Sequence, residues 1–78
     1  MKKVNILSIP NSYSSYYLYG FGKVFELDYT PEARFQKFNN RGFLIFKLEG
    51  KIGVIDNHDP IGVNQELYEE VDYYFATN

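Results

Sequence analysis

The chain has 78 residues, no cysteine and a formal net charge of −2, with 45% apolar, 19% aromatic and 23% charged residues. That length permits one small domain burying only roughly 60% of its unfolded surface, and the aromatic content excludes a disordered polymer. The lack of cysteine rules out a disulfide framework or a cysteine-based zinc site, and the scattered lysines and arginines offer no clustered basic face for nucleic acid.

The N-terminal "MKKVNILSIPNS" is basic and then apolar. Asn5 and Ser8 interrupt the apolar stretch Val4 to Ile9, which is too short for a signal-peptide core or a membrane span. The expectation is a cytoplasmic chain with no membrane span. Residues 3–9 read as a strand, short, rich in β-branched residues and stopped by Pro10. Residues 10–15 are turn formers able to cap a helix begun at their C-terminal end. Residues 15–22 predict two turns of helix with Tyr17, Leu18 and Phe21 on one side, ended by Gly20 and Gly22. In 23–29, Val24, Glu26 and Asp28 alternate with Phe25, Leu27 and Tyr29, as in a strand.

Residues 30–42 begin with Thr30 as an N-cap, Pro31 at the first helical position and Glu32 in the first turn. Phe35 and Phe38 share a face, and Asn39, Asn40 and Gly42 end the segment. A short helix over 31–39 is expected, with an irregular connection as the alternative. Residues 43–56 predict two strands around Glu49-Gly50, a two-residue loop suited to a type I′ hairpin. Asn64 is an N-cap for a short helix through Val71, with acid near its positive end. Residues 72–77 return as a strand.

This order is an α/β pattern with short connections, one small domain over 1–78. Its last strand carries Tyr73, Tyr74 and Phe75 and would ordinarily be covered by a further helix. The reading is the opening part of a larger α/β domain, or a chain that completes itself by pairing with a copy, a homo-oligomer through the terminal strand.

The stretch "IDNHDPIGVN" places Asp56, His58 and Asp59 side by side. These side chains supply metal-ligand atoms, but the spacing departs from an EF-hand: counting from Asp56, Pro60 holds the fifth position and Ile61 the glycine position. No second histidine exists for a zinc site, so no metal and no cofactor is expected. Acid–base chemistry by Asp56 or His58 is better placed, because ligands of open α/β sheets gather beyond the carboxyl ends of strands. The alternative is a turn in which Asp56 and Asp59 bond amides, Pro60 fixes the bend and His58 is solvated. Asn11, Ser12, Tyr13 and Ser14 form a second candidate, able to hold a sugar, a phosphate or a carboxylate, or simply to cap a helix. "GFG" at 20–22 lacks a third glycine and is explained by helix termination. The eight tyrosines are expected mainly in core and interface packing, with a sugar platform as the alternative.

The segments "SYYLYGFGKVFELDY" and "KIGVIDNHDPIGVNQELYEEVDYYFATN" resemble the N-terminal region of bacterial GT-B-type glycosyltransferases, enzymes with two Rossmann-like domains that build surface polysaccharides. There a strand ending in "ID" leads through a "D-P" turn into a short helix, followed here by Val71 to Asn78. The resemblance covers most of this chain and a small part of such an enzyme. It implies a partial Rossmann-like three-layer domain with a short mixed sheet, a hairpin and short helices. It also implies an acceptor-side fragment of a transferase using a nucleotide-sugar donor, inactive without its donor-binding domain and facing a carbohydrate acceptor. On that view Asp56 and His58 are the candidate catalytic residues, and Asn11, Ser12, Tyr13, Ser14 and Asp59 the candidate substrate-binding residues. No nucleotide-sugar signature is present. The rival reading is a stand-alone, non-catalytic α/β binding or self-association module.

Overall fold

The computed structural model describes residues 2–11, 15–57 and 63–76. Along the chain it places β1 (Lys3–Ile6), α1 (Ser15–Val24), β2 (Glu26–Tyr29), a 3-10 helix (Ala33–Phe38), β3 (Phe43–Leu48), β4 (Lys51–Asp56), α2 (Gln65–Glu70) and β5 (Tyr73–Ala76). The strands form one mixed sheet in the order β2-β1-β3-β4-β5. β1 is parallel to β2 and β4 to β5, while β3 is antiparallel to both of its neighbours. The α/β expectation with a short mixed sheet, a hairpin and short helices therefore holds.

The two parallel crossovers step outward from the middle of the sheet in opposite directions. Right-handed connections then require their helices to lie on opposite faces. The side chains agree. On one face Val4, Ile6 and Leu44 pack with Tyr17, Leu18, Phe21 and Phe25 from α1 and its C-terminal end. On the other, Leu67 of α2 joins Phe35 and Phe38 of the 3-10 helix against Phe43, Ile45 and Val54. Strand parity explains the split, since successive residues of β3 point to opposite faces.

The hairpin forms as its residues require. Glu49 (φ 53°) and Gly50 (φ 81°) are both left-handed, as in a type I′ turn. Asn64 caps α2 by accepting from the Leu67 amide at 2.9 Å, satisfying one of the orphan donors of the first turn.

Four expected boundaries move. The strand expected over 3–9 ends at Ile6. α1 continues through Gly20 and Gly22 to Val24, and the Phe25 amide still bonds the Phe21 carbonyl at 2.8 Å. Tertiary packing holds it helical: Phe21 meets Phe25 and Phe46 edge-on, with centroids 5.8 and 5.0 Å apart. A Cβ at Gly22 would meet the Leu27 side chain at 3.4 Å, an ordinary contact, so packing does not require the glycine. β2 accordingly starts at Glu26 rather than at 23. The helix expected over 31–39 is a 3-10 helix over 33–38, and Thr30 and Pro31 do not begin it. The Thr30 and Glu32 amides bond the Ile6 and Leu7 carbonyls at 2.9 and 3.2 Å, which keeps 30–32 extended along the end of β1.

One helix is about 10 Å wide and strands lie about 4.8 Å apart, so α1 alone covers only part of its face. The α2 side of β5 is covered, with Tyr68 against Tyr74 at 5.7 Å between centroids. The α1 side is open: Tyr73 and Phe75 are each 53% exposed. They border a groove of about 600 Å³ shared with Phe21, Phe25, Phe46 and Leu48. The 3-10 helix lies on the opposite face and does not reach this groove. No helix among the described residues is long and apolar enough to cross a membrane.

Candidate functional site

β1 and β4 point the same way, because each is antiparallel to β3 between them. Their carboxyl ends therefore share one rim of the sheet, and Pro10, Asn11 and Asn57, where the described chain leaves the two strands, lie at it. Between them lies the segment 39–42, which enters β3.

This central segment is tied to both sides. The Ile9 amide donates to Asn39 Oδ1 at 2.8 Å, and the Asn40 amide donates to the Ile9 carbonyl at 2.7 Å. The Asn11 amide donates to the Arg41 carbonyl at 3.0 Å, and Pro10 and Arg41 form a parallel bridge. On the β4 side the Asn57 amide donates to the Gly42 carbonyl at 2.7 Å. Asn40 is left-handed at φ 59°, a conformation asparagine tolerates better than most residues. The Arg41 guanidinium lies 5.6 and 5.3 Å from the ring centres of Phe38 and Phe43, within reach of cation–π attraction.

Asp56 ends β4 and is 1% exposed. Parallel pairing sets Gly53 opposite Tyr73 and Val54 opposite Tyr74, so Tyr74 and Asp56 share the α2 face. The Tyr74 hydroxyl donates to Asp56 Oδ2, and its oxygen accepts from the Asn64 amide at 2.9 Å. One phenol thus joins the end of β4, the start of α2 and β5. Burial, and then the hydrogen bond to Asp56, push the Tyr74 phenol up to about 12; the Asn64 amide opposes this in part. A neutral phenol donor to a carboxylate suits a rigid rim, since a charge-assisted bond is stronger than a neutral one.

The structure thus brings Asn11 and Asp56 to the same rim. Asn11 is held there through its backbone, and Asp56 accepts the Tyr74 hydroxyl. Ser12, Tyr13, Ser14, His58 and Asp59 lie outside the described residues. Among the described residues no group of three or more histidine, cysteine or acidic side chains converges as a metal site would require. Tyr74, Asn39 and Arg41 are rim residues that sequence reasoning passed over. Nothing within ten residues of Asp56 marks Tyr74 as its partner, and Arg41 reads locally as an ordinary loop arginine. Among the tyrosines, Tyr17 and Tyr74 are half-buried, whereas Tyr16, Tyr19, Tyr29, Tyr68 and Tyr73 are exposed. The packing expected for them holds for the first pair.

No family model, curated protein or solved structure matches the chain.

Proposed function

We propose that this chain is the acceptor-side part of a glycosyltransferase, a partial Rossmann-like unit whose ligand crevice is the shared carboxyl rim of β1 and β4. The supporting observation is the sheet's winding. The crossovers leave the centre in opposite directions with helices on opposite faces, the arrangement in which open α/β sheets bind ligands between diverging loops. The sequence resemblance supplies the reaction class: a sugar passes from a nucleotide donor to an acceptor hydroxyl, and a base takes the hydroxyl proton as the glycosidic bond forms. In this reading Asp56 orders the rim through Tyr74, His58 is the remaining candidate base, and Asn11 to Ser14 with Asp59 face the acceptor. The chain alone lacks a donor site. Calorimetry should find no saturable micromolar binding of a UDP-, GDP- or TDP-sugar to the purified 78 residues. Donor and acceptor screening of the longest reading frame containing them tests the activity, and tight donor binding by the short chain would sink the fragment reading.

A second reading, a self-association module, is favoured by the open α1 side of β5. Exposed aromatic patches commonly mark interfaces, and strand β5 is an edge with no charged residue among Tyr73–Ala76, whereas the opposite edge β2 carries Glu26 and Asp28. Charges discourage edge pairing. Sedimentation velocity should show a concentration-dependent dimer or larger species, weakened by Phe75→Asp with far-ultraviolet circular dichroism unchanged. A well-folded monomer at high concentration removes this reading.

A further inference from the structure

We infer that Arg41 is an oxyanion-binding residue at the carboxyl rim, taking a phosphate ester or a carboxylate through its guanidinium fork. The inference rests on the rim being the ligand crevice and adds the chemical class of ligand that the crevice takes.

The chain has two arginines, Arg34 and Arg41, and they stand in contrast. Arg34 Nε bonds Glu32 at 2.8 Å, and its Nη1 reaches Glu70 at 3.4 Å, so its fork is committed within the fold. Arg41 is exposed and forms no ion pair with a described residue. Its guanidinium carbon lies 5.6 and 5.3 Å from the ring centres of Phe38 and Phe43, whose rings meet edge-on at 5.4 Å. Both rings are fully packed in the core, with exposures of 2% or less. Cation–π attraction to such fixed rings restricts the side chain, and a planar fork recognises an oxyanion in bidentate fashion.

The backbone is equally prepared. Residues 39–42 are bonded to the end of β1 through Ile9 and Asn11, and to the end of β4 through Asn57. The left-handed Asn40 immediately precedes Arg41. Site residues held by locked neighbours lose little freedom on binding. The Asn11 amide, bonded to the Arg41 carbonyl, lies four residues before the start of α1. The arginine is therefore placed beside the first rim loop.

The test is titration of the 78-residue chain with inorganic phosphate at low ionic strength, followed by nitrogen–proton spectra of the arginine Nε–Hε groups and the backbone amides. The Arg41 Hε signal and the Asn40 and Gly42 amides should shift saturably, with an apparent Kd on the order of 1 mM for one charged fork in water. Arg34 signals should not follow. A parallel titration with acetate separates the ligands: saturation by both anions assigns a general oxyanion site, and saturation by phosphate alone assigns a phosphate site. Arg41→Gln should weaken binding by about tenfold or more, and Arg41→Lys, which keeps charge and stem but not the fork, by less. Linear, unsaturating shifts, equal response at Arg34, or unaltered binding in a folded Arg41→Gln variant would each overturn the inference. The comparison of the two arginines in the unaltered chain stands whether or not a variant folds. Because the titrant carries no sugar, its outcome is independent of the proposed glycosyl transfer.

Discussion

Replacing Phe35 with alanine is expected to destabilise the fold by about 3–5 kcal/mol, the usual loss for a fully buried aromatic ring. Phe35 has no exposed surface and sits in the cluster that joins the 3-10 helix to α2 and the sheet. Phe38 anchors the other end of the same helix in that cluster. The N-cap residue of this helix, Glu32, makes no side-chain cap bond. Its exposed ion pairs to α2, Arg34 with Glu70 and Lys37 with Glu66, are of the kind that contribute between zero and about 1 kcal/mol. At roughly 0.05–0.15 kcal/mol per residue, a chain of this size has a total stability of about 4–12 kcal/mol. The variant should therefore lose a large share of its stability, with a urea midpoint lowered by about 2 M or more. Phe35→Leu, which retains most of the volume, should lose markedly less. A midpoint shift for Phe35→Ala equivalent to under 1 kcal/mol would show that the 3-10 helix is not anchored by this ring.

Stability should also fall steeply in strong alkali because of Tyr74. Its folded pKa is raised to about 12 against an ordinary value of 10.0. The folded state thus holds the phenolic proton that the unfolded state releases first. Stability from this group is complete below about pH 10, declines as the unfolded chain ionises, and is lost as pH passes about 12. A shift of that size corresponds to no more than about 3 kcal/mol, and to less where water reaches the phenol. Urea titrations at several pH values should show this decline in the natural chain. In Tyr74→Phe the decline should be shallower, since the other titrating groups remain. At neutral pH the same variant should be destabilised by about 1.5–3 kcal/mol, because the buried Asp56 carboxylate loses a donor and the Asn64 amide an acceptor. Parallel pH profiles for the two proteins would contradict the assigned Asp56–Tyr74–Asn64 linkage.

The open groove beside α1 shows how far local signals reach. Alternation of apolar residues identifies β3 and β4 and their two faces, but it does not say that a single helix will lie over one face of five strands. The width of that face is set by which strands become neighbours, and those pairings join residues far apart in the chain. The rim behaves the same way. Asp56 stands out as an acid following an apolar run, yet its partner Tyr74 lies 18 residues on and is brought to it only by the β4–β5 register. Arg41 acquires its position from Phe38 and Phe43 together with the ends of two different strands.

By itself the sequence determined the features whose interactions close within a few residues: the Glu49-Gly50 turn, the Asn64 cap, and the periodicities of the strands and of Phe35 with Phe38. These depend on backbone preference and hydrogen bonds between near neighbours, which residue type alone controls. Tertiary structure decided where α1 and the 3-10 helix begin and end. Packing of Phe21 against Phe46 carried α1 past two glycines, each costing about 1 kcal/mol relative to alanine. Pairing of 30–32 with the end of β1 overrode an N-cap signal at Thr30. In each case a tertiary contact exceeded a local preference of about 1–2 kcal/mol, because burying a large side chain contributes about 1.5–3 kcal/mol and an unpaired buried amide costs about as much.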